Sequence, residues 1–258
     1  MFAGAAVAAA LFGQAVWRLR ARGRADLAGW DRVALFALGL AVAFVALESP
    51  LDRVAETRLL SAHMLQHVLI GDVAPALFVL AVRGPLVFFV LPAAVLAPLA
   101  RNGRVRAFLR ALMRPEVVFA LWALNLAIWH IPAIYDAALT RPRLHDFEHV
   151  CWLVAGMLVW TILVDPARHG RLSVPGRVAF AAILFASGQI LSDVLVFSFT
   201  PLFPAYRGAY GISALTDQQL SGVVMMVDQL LMLGLCVALL LRPRMRRIPA
   251  PRLEPSRA

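Results

Sequence analysis

The sequence predicts an all-α polytopic membrane bundle of about seven transmembrane helices, N-terminus outside and C-terminus inside. Three observations carry this. The 258 residues are 61% hydrophobic and only 16% charged, whereas a soluble domain carries about 25% charged residues; the mean hydropathy is +0.77. The apolar residues fall in long runs, and about 20 in succession span the hydrocarbon core. The net charge of +10 comes from 25 arginines and no lysine, and these cluster in alternate loops, as cytoplasmic loops do. A basic soluble protein would suggest nucleic acid as a partner. Here topology accounts for the charge, and the partner implied is the lipid bilayer.

Run one is Phe2 to Trp17. Its arginines (Arg18, Arg20, Arg22, Arg24) follow the apolar stretch, and no basic segment precedes it. That order is not a signal peptide's and places the N-terminus outside. At about 16 residues the run is short for a span, which leaves room for a start codon upstream. Run two, Val33 to Leu47, ends at Glu48-Ser49-Pro50, where proline blocks continuation. Run three is about Ala62 to Val82. The next stretch, 86–100, holds Pro92 and Pro98 and is read as interfacial or re-entrant. Run four, Val117 to Ile131, stops at Pro132. Run five is Phe147 to Val164, run six Val178 to Phe199, and run seven Leu220 to Leu241, stopped by Pro243. Residues 1–242 thus form one transmembrane domain, and 243–258 a basic, Pro-rich cytoplasmic tail.

With this arrangement the inside segments 18–32, 83–115, 165–177 and 242–258 hold 20 of the 25 arginines. The orientation follows from that bias. It also requires that 86–100 not cross, since a crossing would put the arginines after it outside. Cys151 and Cys236 both lie in apolar runs, far apart, and form neither a CxxC pair nor a disulfide framework.

Five of the six histidines fall at the outer ends of the runs. His63 and His67 open run three, His130 closes run four, and His145 and His149 open run five; His169 alone lies in an inside loop. Each of the two pairs has i,i+4 spacing, which stacks two imidazoles on one helix face. Paired imidazoles bind transition metals; imidazole suits copper, and thioether sulfur from Met64, Met225 or Met226 suits Cu(I). Asp146 and Glu148 are expected to orient ring nitrogens from outside the ligand set. Polar contacts between helix ends are the competing explanation for the same histidines. Asp72, Asp193 and Asp228 lie within or near spans, where ionisable groups are costly. Asp72 sits five residues past His67, about 140° round an ideal helix, so it is expected outside the histidine cluster. Gln189 or Ser192 is the expected partner of Asp193. Before run seven, Thr216 or Asp217 is a plausible N-cap, with Gln219 at a capping-box position for Thr216. Asp217 also falls beside the histidine face. No catalytic nucleophile, phosphate loop or redox motif is present in the sequence, so a non-enzyme is expected.

Four segments in order, His63-Met64-Leu65-Gln66-His67, Trp129-His130-Ile131-Pro132-Ala133-Ile134-Tyr135-Asp136, His145-Asp146-Phe147-Glu148-His149 and Asp217-Gln218-Gln219-Leu220-Ser221-Gly222, resemble the CtaG family of assembly factors for caa-type cytochrome c oxidases. The chain departs from that family where members often carry a Met-Trp-Val-Pro-Gly type stretch; here Met225-Met226-Val227-Asp228-Gln229 stands. The resemblance implies a bacterial inner-membrane protein that helps mature a haem-copper oxidase, with oxidase subunits and copper donor or acceptor proteins as partners. The histidine set itself, not the resemblance, suggests a copper site of His63, His67, His130, His145 and His149, supported by Met64, Glu148 and Asp217. Two rivals are carried forward: a membrane cytochrome with axial histidines, and an ion- or proton-coupled transporter using the three acids.

Overall fold

The computed structural model describes residues 2–245, and every regular element among them is helical. The basic tail expected over 243–258 therefore lies, from residue 246 on, outside the described residues. The helices are α1 (Phe2–Ala21), α2 (Trp30–Glu48), α3 (Pro50–Thr57), α4 (Leu60–Ala81), α5 (Ala93–Arg101), α6 (Gly103–Leu112), α7 (Pro115–Trp129), α8 (Pro132–Thr140), α9 (Pro142–Val164), α10 (Val174–Phe197) and α11 (Ala214–Met245).

Five segments are long and apolar enough to cross a membrane: Ala25–Glu48, Leu60–Ala81, Pro142–Val164, Val174–Phe197 and Ala214–Arg242. A sixth arises if α6 and α7, bent by 64° at their junction, count as one broken span. α1 is a single helix of 20 residues but is not among these five. Residues 86–100 form no long helix: a 3-10 segment, Gly84–Phe89, leads into the short α5 with Pro98 inside it.

Pro50 and Pro132, which sequence reasoning takes as stops, act here as starts. They sit in the first turn of α3 and α8, as Pro115 and Pro142 do in α7 and α9. Proline's fixed φ suits the first helical position, where its missing N–H would be unpaired anyway. Run four thus continues after a two-residue break, His130 and Ile131, into α8. Pro243 does not end the last helix either, since α11 runs on to Met245. A proline removes one ladder bond, and this close to the helix end the preceding ladder is already in place.

α4 is the central helix and packs against α2, α9 and α11, while α10 pairs with α11 and α7 with α9. Midway, Leu69–Val73 forms a π-helical turn, with Ala74 N donating to Leu69 O. Pro75 explains it: proline cannot donate to the Gly71 carbonyl four residues back, and one wide turn absorbs the misfit. Gly156 of α9 packs directly on that carbonyl, where a Cβ would overlap Gly71 O. The two helices run parallel through this contact, which sets their N-terminal ends, and so their histidines, side by side.

The buried apolar residues form one cluster at the histidine end, including Leu60, Trp129, Tyr135, Trp152 and Tyr206. A second, including Val159, Trp160, Leu163 and Leu184, fills the opposite half. Large apolar side chains such as Ile190, Phe197, Leu231 and Leu235 point outward, the arrangement expected of helices whose solvent is lipid. At the far end arginines close helix C-termini: Arg32 donates to the Ala81 and Arg83 carbonyls, and Arg177 to those of Leu163 and Val164. These carbonyls lack intrahelical partners, and the cation also meets the negative end of the helix dipole.

Candidate metal centre

Four side chains from two helices converge near the start of α4 and α9. His63, His67, His145 and Glu148 are buried, and each offers one ligand atom within 4.8 Å of all the others. The i,i+4 spacing sets His63 and His67 on one face of α4, with ring centroids 4.3 Å apart. His145 and Glu148, i and i+3 on α9, meet them from the facing helix.

The hydrogen bonds around the cluster fix which ring nitrogens carry protons. Tyr206 donates its hydroxyl to Ala55 O at 2.6 Å. Burial pushes the Tyr206 phenol up from its ordinary pKa, so it keeps that proton. Its oxygen is therefore free to accept His63 Nδ1–H at 2.9 Å, and His63 Nε2 is left as a lone pair. His145 Nδ1 lies 3.0 Å from Glu56 Oε1; a carboxylate accepts, so the His145 proton sits on Nδ1 and Nε2 is again bare. That Nε2 is buried with no hydrogen-bond partner. His67 Nε2 lies 2.8 Å from His63 Nε2 and 3.4 Å from Glu148 Oε1. With His63 Nε2 bare, the proton of His67 is on Nε2, and its buried Nδ1 is unpaired. Glu148 Oε1 and His149 Nε2 are also buried without a hydrogen bond. Buried polar atoms are nearly always paired, so His145 Nε2 and Glu148 Oε1, both in the four-residue group and both without a hydrogen bond, are free to take a shared ligand.

The spacing fits a metal ion. Two ligands about 2.0–2.1 Å from a tetrahedral metal lie roughly 3.3–3.4 Å apart. His67 Nε2 and Glu148 Oε1 are already at 3.4 Å, and the two imidazoles need to open by a few tenths of an ångström from 2.8 Å. His67 must give up its Nε2 proton on loading, and Nδ1 can take it.

Supporting contacts tie this end together across long sequence distances. Asp217, four residues after Ser213, on whose Oγ Thr216 N and Oγ1 converge, reaches to the first turn of α4. It accepts from Leu60 N at 2.7 Å, Ser61 N at 3.0 Å and Ser61 Oγ at 2.6 Å. α4 has no cap of its own, so a carboxylate from another helix supplies it, at the end where negative charge is favoured. Ser213, not Thr216 or Asp217, caps α11. Gln66 donates to Ala46 O at 2.9 Å and to Asp52 Oδ1 at 2.6 Å, binding α4 to α2 and α3. Gln218 holds the 198–213 loop through Leu202 N, and that loop delivers Tyr206.

The predicted residues divide. His63, His67 and His145 come together as expected. Glu148 is a member of the ligand group rather than an outer support, because on α9 it is one turn from His145 and faces inward, whereas Asp146 is exposed. His149 packs against His145, with centroids 4.1 Å apart and the rings tilted by 57°, but lies outside the four-ligand group. His130 is also apart from it, against Met64. Asp217 is a helix cap. Asp193 is exposed, while Ser192 bonds to Gly188 O and Gln189 to Gln229, so neither of its expected partners is engaged with it. Asp72 points away from the cluster as expected and accepts from Trp160 Nε1. Glu56 and Tyr206 were missed. Each acts through a contact to a histidine some 90 or more positions away, and nothing local in the sequence marks them.

Two cavities border the centre. One of about 70 Å³ is lined by Met64, His67, His130 and Met225 at one end and Asp72, Asp228 and Gln229 at the other. One of about 520 Å³ lies between α1, α2, α4 and α9, with His145, His149, Glu48, Asp52, Glu56 and Asp146 among its lining residues.

A model of the cytochrome c oxidase caa3 assembly factor family, Caa3_CtaG, matches residues 10–247. No curated protein and no solved structure matches the chain.

Proposed function

Since the chain belongs to the cytochrome c oxidase caa3 assembly factor family, we propose that it serves oxidase maturation by holding copper transiently at His63, His67, His145 and Glu148. The observation that carries this is the convergence of ligand atoms from four buried side chains within 4.8 Å, two of them, His145 Nε2 and Glu148 Oε1, without a hydrogen bond. The donor set of imidazoles and one carboxylate is one that suits copper. The protein acts as a carrier rather than an enzyme, exchanging copper with donor or acceptor proteins and with oxidase subunits in the bacterial inner membrane. The arginine bias supports a seven-span arrangement in which α1 and α7 also cross, α6 and its arginines stay inside, the N-terminus and the histidine end lie outside, and the C-terminus lies inside. The larger cavity, with acidic residues and His145 and His149 on its walls, is the route by which a cation reaches the centre.

The haem rival is less well supported. Two axial nitrogens on opposite faces of an iron are about 4 Å apart with a macrocycle between them. His63 and His67 are one turn apart on the same helix with their Nε2 atoms at 2.8 Å, which suits neighbouring ligands of one small ion. The test is to replace His63 and His67 by Ala together, and separately His145 and Glu148 by Ala and Gln, then to measure copper bound by the purified protein and assembled oxidase in membranes. Both should fall in both variants. Unchanged copper and unchanged oxidase would overturn the proposal, and a stoichiometric Soret band in the native protein would replace it with the haem reading.

A further inference from the structure

His130 is the C-terminal cap residue of α7. Its Nδ1 lies 2.8 Å from the carbonyl oxygen of Leu126. A carbonyl can only accept, so the single proton of the neutral imidazole is on Nδ1 and Nε2 carries a lone pair. That Nε2 is 3.4 Å from Met64 Sδ, and a thioether has no hydrogen to give. No proton is available to either atom of this contact. Two lone-pair donors therefore face each other in a buried position, with His130 8% and Met64 1% exposed.

We propose that His130 and Met64 form a second, sulfur-containing site for a soft monovalent cation, Cu(I) or its stand-in Ag(I), distinct from the four-ligand centre. The separation fits. With metal–nitrogen and metal–sulfur bonds of about 2.0 and 2.3 Å, a 3.4 Å gap subtends roughly 104° at the metal, near the tetrahedral angle. Imidazole plus thioether is a donor pair that selects Cu(I) over harder divalent ions. His67 borders the same cavity as His130 and Met64, but its one lone pair serves the four-ligand centre, so the donors of the second site are His130 Nε2 and Met64 Sδ. His130 and Met64 are neutral, and the same small cavity holds Asp72 and Asp228 as the negative charge a buried cation requires. The inference rests on the copper reading only for the metal's identity; the His130–Met64 geometry stands without it.

The experiment loads the full-length purified protein with Cu(I) under reducing, anaerobic conditions. Metal is counted, and the copper X-ray absorption spectrum is recorded. The native protein should bind two equivalents and show a sulfur scattering shell. Met64→Leu, close to isosteric, should bind one equivalent and show nitrogen and oxygen scattering alone. His130→Gln should also lose one equivalent. A native spectrum without sulfur would overturn the proposal even if both variants failed to fold, as would full Cu(I) loading of folded Met64→Leu. The paired His145→Ala, Glu148→Gln variant should retain the sulfur shell and lose the other equivalent. If that variant loses no metal, the four-ligand centre falls while the sulfur site stands, so the two failures are distinguishable.

Discussion

Asp217 gives the sharpest separation between holding a metal and holding the protein that holds it. Its carboxylate accepts three hydrogen bonds at 2.6–3.0 Å from Leu60 and Ser61, and it is fully buried. Asp217→Ala leaves two backbone N–H groups at the start of α4 without a partner, and each buried orphan costs about 1–3 kcal/mol. Loss of the cap itself costs about 1 kcal/mol, largely the same energy seen another way, so about 2–6 kcal/mol in all is expected. Asp217→Asn keeps one acceptor oxygen but turns an amide toward the remaining donors, and should lose about half as much. The first turn of α4 carries His63 three residues on, so the perturbation reaches the centre as misplacement. Outer contacts of this kind change metal affinity by about 10–100-fold. The assay is thermal unfolding in detergent together with copper titration of Asp217→Asn. Unfolding should come at lower temperature and affinity should fall, while the number of ions bound at saturation stays at the native value. A drop in stoichiometry with unchanged unfolding would refute the argument and make Asp217 a ligand.

Glu56→Gln removes the acceptor that sets the His145 tautomer, and should weaken copper binding about 10–100-fold with native stoichiometry, read by the same titration; it should not shift unfolding, because Glu56 is 41% exposed. Gly156→Ala drives a methyl group into the Gly71 carbonyl and Pro75, so α4 and α9 must separate; overpacking of about 1–3 kcal/mol should appear as lower yield and a lower unfolding temperature, and native values would show that the contact yields. Asp228→Asn preserves size at a position that lines the smaller cavity outside the four-ligand group, so the protein should accumulate normally and bind copper at the four-ligand centre; loss of that copper in well-folded protein would contradict the separation between the acids and the cluster.

Much of the fold was legible because lipid imposes a simple rule. Runs three, five, six and seven each became one long helix, since an apolar run without breakers in a bilayer has no other way to satisfy its backbone. The short helices were not legible. α3 and α8 begin at Pro50 and Pro132, residues that by themselves say only that the preceding helix has ended. The i,i+4 histidine pairs revealed the centre because helical periodicity puts them on a face before any tertiary contact exists. Which acid joins them was not legible: Asp146 and Glu148 differ only in which way α9 faces, and that is set by Gly156 lying against Gly71. His130 was counted with the other four because depth can be read from the runs, whereas the angle at which α7 meets α4 cannot. Tyr206 and Glu56 were beyond reach, since their partners lie far along the chain.

The charges of the two centres fit one kind of ion. Among the four ligand groups Glu148 is the single carboxylate, 1% exposed, and the imidazoles are neutral, so a monovalent cation makes the centre neutral and a divalent one leaves an excess charge. Leaving a net charge buried costs several kcal/mol, and Glu56 offsets less of it because its own charge is partly in solvent. At His130 and Met64 both ligands are neutral, and the negative charge for a cation there comes from Asp72 and Asp228, which line the same cavity. His67 belongs to the four-ligand group and borders that cavity as well. Its imidazole offers one lone pair, so it serves one ion at a time, and its loss should empty the four-ligand centre while leaving the His130–Met64 pair in place.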